Sequence, residues 1–175
     1  PAEKIFKKIR QHAPNYSGRM DQLRASLLRS QLPRLEKNIV RWNVLYDLLF
    51  EGLSNIEGVV IPKRHEKEFY VGSSIQFRLD KIGINQIPQF VDECSSRGVE
   101  LKWFGASEPK TFTSRYDSWS YIKNLPVLPI TLSILDRTLD MRIPLTFSSE
   151  DCKIIIQVSK YNNLEGTVDN SIVLT

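Results

Sequence analysis

Two histidines, His12 and His65, and two cysteines, Cys94 and Cys152, are the side chains of this 175-residue sequence best suited to nucleophilic or acid–base work near neutral pH. Neither type is grouped for chemistry. His65 lies in the charged run KRHEKE, which reads as a solvated loop, and no HExxH, HxE or His/Cys cluster accompanies it, so a zinc or iron site is not expected. Cys94 falls on the apolar side of a short helical pattern with Ile87, Phe90 and Val91, where packing is the expected role. The neighbouring carboxylates Asp92 with Glu93, and Glu150 with Asp151, read as helix-surface or capping groups. The eight glycines are scattered with no two adjacent, which excludes a phosphate-cradling P-loop and a GxGxxG turn, and there is no GxSxG nucleophile elbow. By itself the chain presents no recognisable catalytic constellation.

Charge is the next chemical signal. The formal net charge is +4, but residues 1–50 hold ten Lys/Arg against four Asp/Glu, a balance of +6, while the remainder balances at −2. Arg10, Arg19, Arg24, Arg29, Arg34 and Arg41 supply most of this basic stretch. It is compatible with a solvated helix face, or with a nucleic acid, membrane surface or phosphorylated ligand. No RNP motif, KH loop or helix-turn-helix signature accompanies it, so no nucleic acid is expected as a partner. No apolar run approaches bilayer length and the basic N-terminus has no apolar segment after it, so neither a membrane span nor a secretory leader is expected. Ordinary globular composition (41% hydrophobic, 25% charged) excludes a disordered polyelectrolyte, and two cysteines outside any CxxC, in a chain long enough to bury a core without a disulfide staple, point to reduced thiols in the cytoplasm.

The elements that must position these groups follow from periodicity. Residues 1–11 read as a short basic helix with Ile5, Phe6 and Ile9 on its apolar side. After the turn Asn15-Tyr16-Ser17-Gly18, Ser17 is the expected N-cap, with Asp21 in the first turn. From about Gly18 to Leu53 runs the strongest pattern: Leu35, Ile39, Trp42, Tyr46, Leu49 and Leu53 share one helical stripe, continued upstream by Leu23 and Leu27. Pro33 predicts a kink or break near Leu32, and the helix should stop near Ser54-Asn55 or at Gly58. Ile75, Phe77 and Leu79 then alternate as a strand; Ile87 to Cys94 form a short helix ending at Gly98; Val99, Leu101 and Trp103 alternate as a second strand. Residues 105–130 read as a long loop. Leu132, Leu135 and Leu139 suggest a helix capped by Thr131, and Met141, Ile143 and Leu145 a brief strand that Pro144 ends or confines to an edge. Ser148 with Asp151 forms a capping box for a helix to about Lys160. The class is α+β: a long N-terminal helical arm (1–57), then a small, mostly antiparallel sheet covered by helices (58–160), then a polar tail (161–175).

The segment NYSGRMD at Asn15–Asp21, followed by LRASLLRSQLPRLEKNIVRWNVLYDLL, resembles the DegT/DnrJ/StrS sugar aminotransferases, pyridoxal-phosphate enzymes of the aspartate-aminotransferase-like fold. The likeness continues through GLSNIEGVVIP, SSIQFRL, FVDECSSRGVELKWF and RTLDMRIPLTFSSEDCKIII, from about residue 3 to 160. It implies that the chain corresponds to the C-terminal part of such an enzyme, downstream of the lysine that holds the cofactor. The family's Tyr-x-Pro-x-His stretch is altered here to WFGASEPKTFTSRYDSW, and no histidine follows His65.

The resemblance carries further expectations. Asn15 matches an asparagine that contacts the phosphate of pyridoxal phosphate in the neighbouring subunit, and Arg19 would belong to the same anionic neighbourhood; a turn beside a helix N-terminus suits such a contact, because unpaired N–H groups there attract phosphate. The complete enzyme would transfer an amino group from an amino-acid donor to a keto-sugar. The alternative is a stand-alone interaction module that binds a protein partner through its exposed helical stripe. In either reading the small domain covers only the Trp42–Leu53 end of the stripe, and a homodimer or larger assembly through residues 18–53 is expected, with antiparallel or crossed helices because Arg24, Arg29 and Arg34 oppose parallel alignment.

Overall fold

The computed structural model describes residues 20–107 and 124–164. The basic helix expected over residues 1–11, together with Asn15, Ser17 and Arg19, lies outside them. The first described helix, α1 (Gln22–Gln31), is capped by Asp21, whose carboxylate accepts from the Arg24 backbone N–H at 2.8 Å. The expected first-turn acid is therefore the cap itself; its short side chain reaches the donor three residues on, which the helix leaves unpaired.

Pro33 breaks the arm as anticipated. A 3₁₀ turn over Leu32–Arg34 separates α1 from α2 (Leu35–Ser54). Helix α2 ends at Ser54, and the chain reverses at Gly58, whose φ of +85° favours glycine. The short strand β1 (Val59–Val60) follows; two residues carry no readable alternation, so the periodicity missed it. Strand β2 (Ser74–Leu79) bears the expected Ile75, Phe77 and Leu79. Helix α3 (Ile87–Ser96) leads through Gly98, φ +82°, into β3 (Lys102–Trp103), shorter than Val99–Trp103 because only those two residues pair.

Helix α4 (Pro129–Leu135) starts at its proline, preceded by Leu128 at the cap position, not at Thr131. Proline lacks the N–H that the first helical position leaves unused. Leu139 belongs to the next strand, β4 (Thr138–Arg142), not to this helix. That strand is central: the sheet runs β1-β2-β4-β3, all antiparallel, with Ile75 opposite Met141, Phe77 opposite Leu139 and Lys102 opposite Asp140. Pro144 thus follows the end of the strand and sets no edge. Helix α5 (Ser149–Leu164) opens on the expected capping box, with the Ser148 N–H donating to Asp151 Oδ2 at 2.7 Å and the Asp151 N–H donating to Ser148 Oγ at 3.2 Å.

One sheet face meets the helices. Ile75, Phe77, Leu79, Leu139 and Met141 pack with Leu45, Leu49 and Leu53 of α2, Ile87, Phe90 and Cys94 of α3, and Cys152, Ile155 and Val158 of α5. Each fully buried aliphatic side chain contributes about 1.5–3 kcal/mol. Both cysteines are buried in this core, and burial, with Asp151 adding, pushes the Cys152 thiol pKa up, away from the reactive thiolate. The opposite face carries Ser74, Gln76, Arg78, Lys102, Asp140 and Arg142. It positions the site described next.

The arm leaves the core as it goes upstream. Leu45, Tyr46, Leu49 and Leu53 are buried and Trp42 half-buried, whereas Leu35, Leu27 and Leu23 are 46%, 58% and 72% exposed. Helix α1 buries no residue. The domain covers the Trp42–Leu53 end of the stripe, Ile39 is partly covered, and the stripe is exposed from Leu35 upstream.

Candidate functional site

A cleft of about 320 Å³ opens where β2 begins, lined by Tyr46 of α2, Pro62, Lys63, Arg64 and Glu68 of the connection after β1, and Ser74 and Gln76 of β2. Its walls follow from a close approach of chain to helix. The Asn43 side chain donates to the Tyr70 carbonyl at 3.1 Å and accepts from the Gly72 N–H at 2.8 Å, pinning residues 70–72 against α2. Only glycine fits at 72, since a Cβ there would lie 2.5 Å from Tyr46 Cβ and 3.1 Å from the Trp42 carbonyl oxygen. Chain leaving this clamp enters β2 with Ser74 and Gln76 facing away from the core.

Upstream of the clamp, the charged run expected to be a solvated loop is organised around Arg64. Its guanidinium carbon lies 4.2 Å from the Tyr70 ring centroid and 4.9 Å from that of Tyr46, the two rings meeting edge to face at 5.4 Å. Arg64 Nη1 donates to Glu68 Oε1 at 2.9 Å, and Tyr70 Oη donates to Asp47 at 3.0 Å. Burial is the largest influence on the Arg64 pKa and lowers it, but Tyr46 and Glu68 together outweigh it, so the net shift is upward. Burial, then the bond to Asp47, raises the Tyr70 pKa. Both groups keep their protons at neutral pH. Sequence reasoning missed this cluster, because Tyr46 reads as one more stripe residue and nothing in KRHEKE marks Arg64 for stacking. His65 stands outside it, exposed, accepting from the Lys67 N–H at 3.2 Å.

The lining of the cleft is mostly polar and charged. It holds a lysine, an arginine with fixed orientation, a hydroxyl and an amide, but no nucleophile paired with a base. No group of three or more His, Cys, Asp or Glu able to hold a metal exists among the described residues. The carboxylate pairs are occupied as surface and capping groups: Glu93 accepts from Gln89, Glu150 pairs with Lys153, and Asp151 caps α5. Of the basic run, Arg24 pairs with Asp21 at 3.1 Å, and Arg41 donates to the Leu145 and Phe147 carbonyls at 2.7 and 2.8 Å, tying α2 to the chain after β4. Arg41 is thus a structural residue.

The residues named for pyridoxal phosphate, Asn15 and Arg19, lie outside the described residues. The α1 N-terminus that follows them is capped by the Asp21 carboxylate, which accepts from the Arg24 amide and pairs with the Arg24 guanidinium. No helix among the described residues is long and apolar enough to cross a membrane.

The family model described as the DegT/DnrJ/EryC1/StrS aminotransferase family matches residues 2–158. Among solved structures, the aminotransferase TlmJ from Streptoalloteichus hindustanus aligns with a TM-score of 0.69 at 17% identity, over 89% of this chain and 40% of that one. DesV from S. venezuelae, solved with a ketimine intermediate, aligns at 0.63 and 17%, over 96% and 45%. A DegT DnrJ EryC1 StrS aminotransferase from Brucella abortus aligns at 0.62 and 15%, over 94% and 44%. At these identities the likeness establishes the fold, and the chain spans less than half the length of these structures. No protein of curated function matches the sequence.

Proposed function

This chain belongs to the DegT/DnrJ/EryC1/StrS aminotransferase family, and on that premise we propose that it forms the C-terminal, small-domain part of a pyridoxal-phosphate-dependent enzyme that transfers an amino group to a keto-sugar. The observation that carries the reading is the continuous family match over residues 2–158, which takes in the arm, the sheet and the capping-box helix in one span. In this proposal residues 1–57 link the small domain to a large one, 58–160 form the small domain and 161–175 are a tail. The cofactor supplies the electron sink for the amino-group chemistry, and the protein supplies placement and electrostatics. Asn15 and Arg19 are the residues of this chain proposed to reach the cofactor phosphate of a neighbouring subunit, in a cytoplasmic homodimer.

In this proposal the lysine that holds the cofactor belongs to the large domain. Accordingly, the 175-residue chain by itself should not take up pyridoxal phosphate covalently. Among its lysines, Lys63, Lys67 and Lys153 are exposed and Lys102 is half-buried on the polar face of the sheet, none of them enclosed in an apolar pocket of the kind that activates an amine. A saturable, stoichiometric visible band at micromolar cofactor would contradict this. The function itself is tested by expressing in full the reading frame that contains this chain, and assaying a nucleotide-linked keto-sugar with glutamate as amino donor. Cofactor-dependent formation of 2-oxoglutarate and an amino-sugar supports the proposal. If that product cannot be made with any keto-sugar by a protein that binds the cofactor, the substrate class is wrong. The second reading, an interaction module, has one observation in its favour, the uncovered apolar face of α1; a reading frame that encodes nothing upstream of this chain would favour it.

A further inference from the structure

From the cleft at the start of β2 we infer a binding site for a phosphate group of a small molecule, an inference that does not rest on the function proposed above. The argument is a donor inventory. Lys63 makes no ion pair among the described residues, although it lines a cleft that also contains Glu68. Glu68 is engaged elsewhere: it takes Arg64 Nη1 at 2.9 Å. Arg64 carries five N–H donors and gives Glu68 only one nitrogen, while its face is occupied by Tyr46 and Tyr70. The guanidinium is thereby oriented in advance, so a ligand does not have to order it. The Ser74 hydroxyl makes no hydrogen bond to the described residues, and the Gln76 amide reaches Asp140 only at 3.5 Å, the limit of hydrogen bonding.

Four donor-bearing side chains from two chain segments thus line one cleft, with a formal charge of +1 once Glu68 is counted against Lys63 and Arg64. Donors offered from the floor by β2 and from the wall by the 62–68 connection suit a tetrahedral oxyanion, whose several oxygens accept from different directions. A carboxylate has two oxygens in one plane and is best met by a bidentate fork. The carboxylate already present, Glu68, takes Arg64 Nη1.

The test uses the 175-residue chain, pyrophosphate and malonate as probes, and titration calorimetry in low-salt, phosphate-free buffer. Pyrophosphate should bind saturably at one site per chain, more weakly as sodium chloride is added. Lys63→Ala should weaken it about tenfold, the loss of one charge-assisted contact. Ser74→Ala should weaken it less. Lys63 is exposed and supports no neighbour, so its variant should keep the wild-type circular dichroism and melting curve. Lys153→Ala, which removes an equal charge on α5, should leave the affinity unchanged. The inference is overturned if pyrophosphate does not saturate, if Lys63→Ala binds as well as wild type, if Lys153→Ala weakens binding equally, or if malonate binds as tightly at the same site.

Discussion

Gly72 shows how one missing Cβ shapes the molecule. It lets the chain pass close enough to α2 for its N–H to reach Asn43, and that approach brings Tyr70 over Tyr46 and Arg64 over both. Gly72→Ala should destabilise the fold by about 1–3 kcal/mol, because the clash is with helix side-chain roots and a backbone carbonyl that cannot swing away. Urea unfolding measures this; an unchanged midpoint would mean that the clamp is looser than described. A second residue-scale prediction concerns acid. The backbone and then the side chain of Ser148 hold the Asp151 pKa below its ordinary value of 3.8, and Arg78 does the same for Asp80. A depressed folded-state pKa contributes stability that is present above the unfolded value and lost as pH falls through the folded one. The melting temperature should therefore drop as pH is lowered from about 5 to 2, and the drop should be shallower in Asp151→Asn. Parallel curves for the two proteins would remove Asp151 from the account.

At the scale of elements, α2 serves both the core and two connections of the chain. Its inner face supplies Leu45, Leu49 and Leu53 to the core, while Arg41 and Trp42 hold the carbonyls of Leu145, Phe147 and Ile143 after β4. Asn43 holds the segment before β2. Asn43→Ala leaves one carbonyl and one N–H without their partner, at a cost of about 1–3 kcal/mol. The Gly72 amide should then exchange with solvent much faster than in wild type while core amides of β2 and β4 stay protected. If all amides accelerate together, Asn43 supports the whole domain and not one segment. Helix α2 also carries Val40, Val44 and Leu48 at four-residue spacing away from the core, 65%, 55% and 39% exposed.

On the scale of the whole molecule, the arm is incomplete as a structure. Met20, Leu23, Leu27, Leu32 and Leu35 are exposed on an arm whose first helix contributes nothing to the core. Apolar surface of this extent is unusual on a monomer. We predict that the isolated chain associates through it, and that Leu27→Asp shifts the assembly toward monomer without changing the melting of the core. Sedimentation equilibrium at micromolar concentration is the check. A 20.2 kDa monomer, indifferent to the substitution, would show that the stripe is covered within its own chain.

The division between what periodicity revealed and what it did not has a physical basis. Signals that are local in sequence were legible: the break at Pro33, the stop before Gly58, the alternation of Ile75, Phe77 and Leu79, and the Ser148–Asp151 box all depend on residues within a few positions of one another. The burial of one end of the stripe and the exposure of the other were also legible, because the segment after residue 58 is too small to cover both. Contacts between distant residues were not. β1 exists only because Val59 and Val60 meet Leu79 and Arg78, and β4 is central only because β2 and β3 flank it. The cleft depends on a helix residue, Tyr46, meeting a loop arginine, Arg64, across a clamp set by Asn43 and Gly72. Residue types and spacing determined the elements and the family resemblance. Which side chains share a site was decided by tertiary structure alone, since stacking, clamping and strand order depend on distances in space that no spacing along the chain encodes.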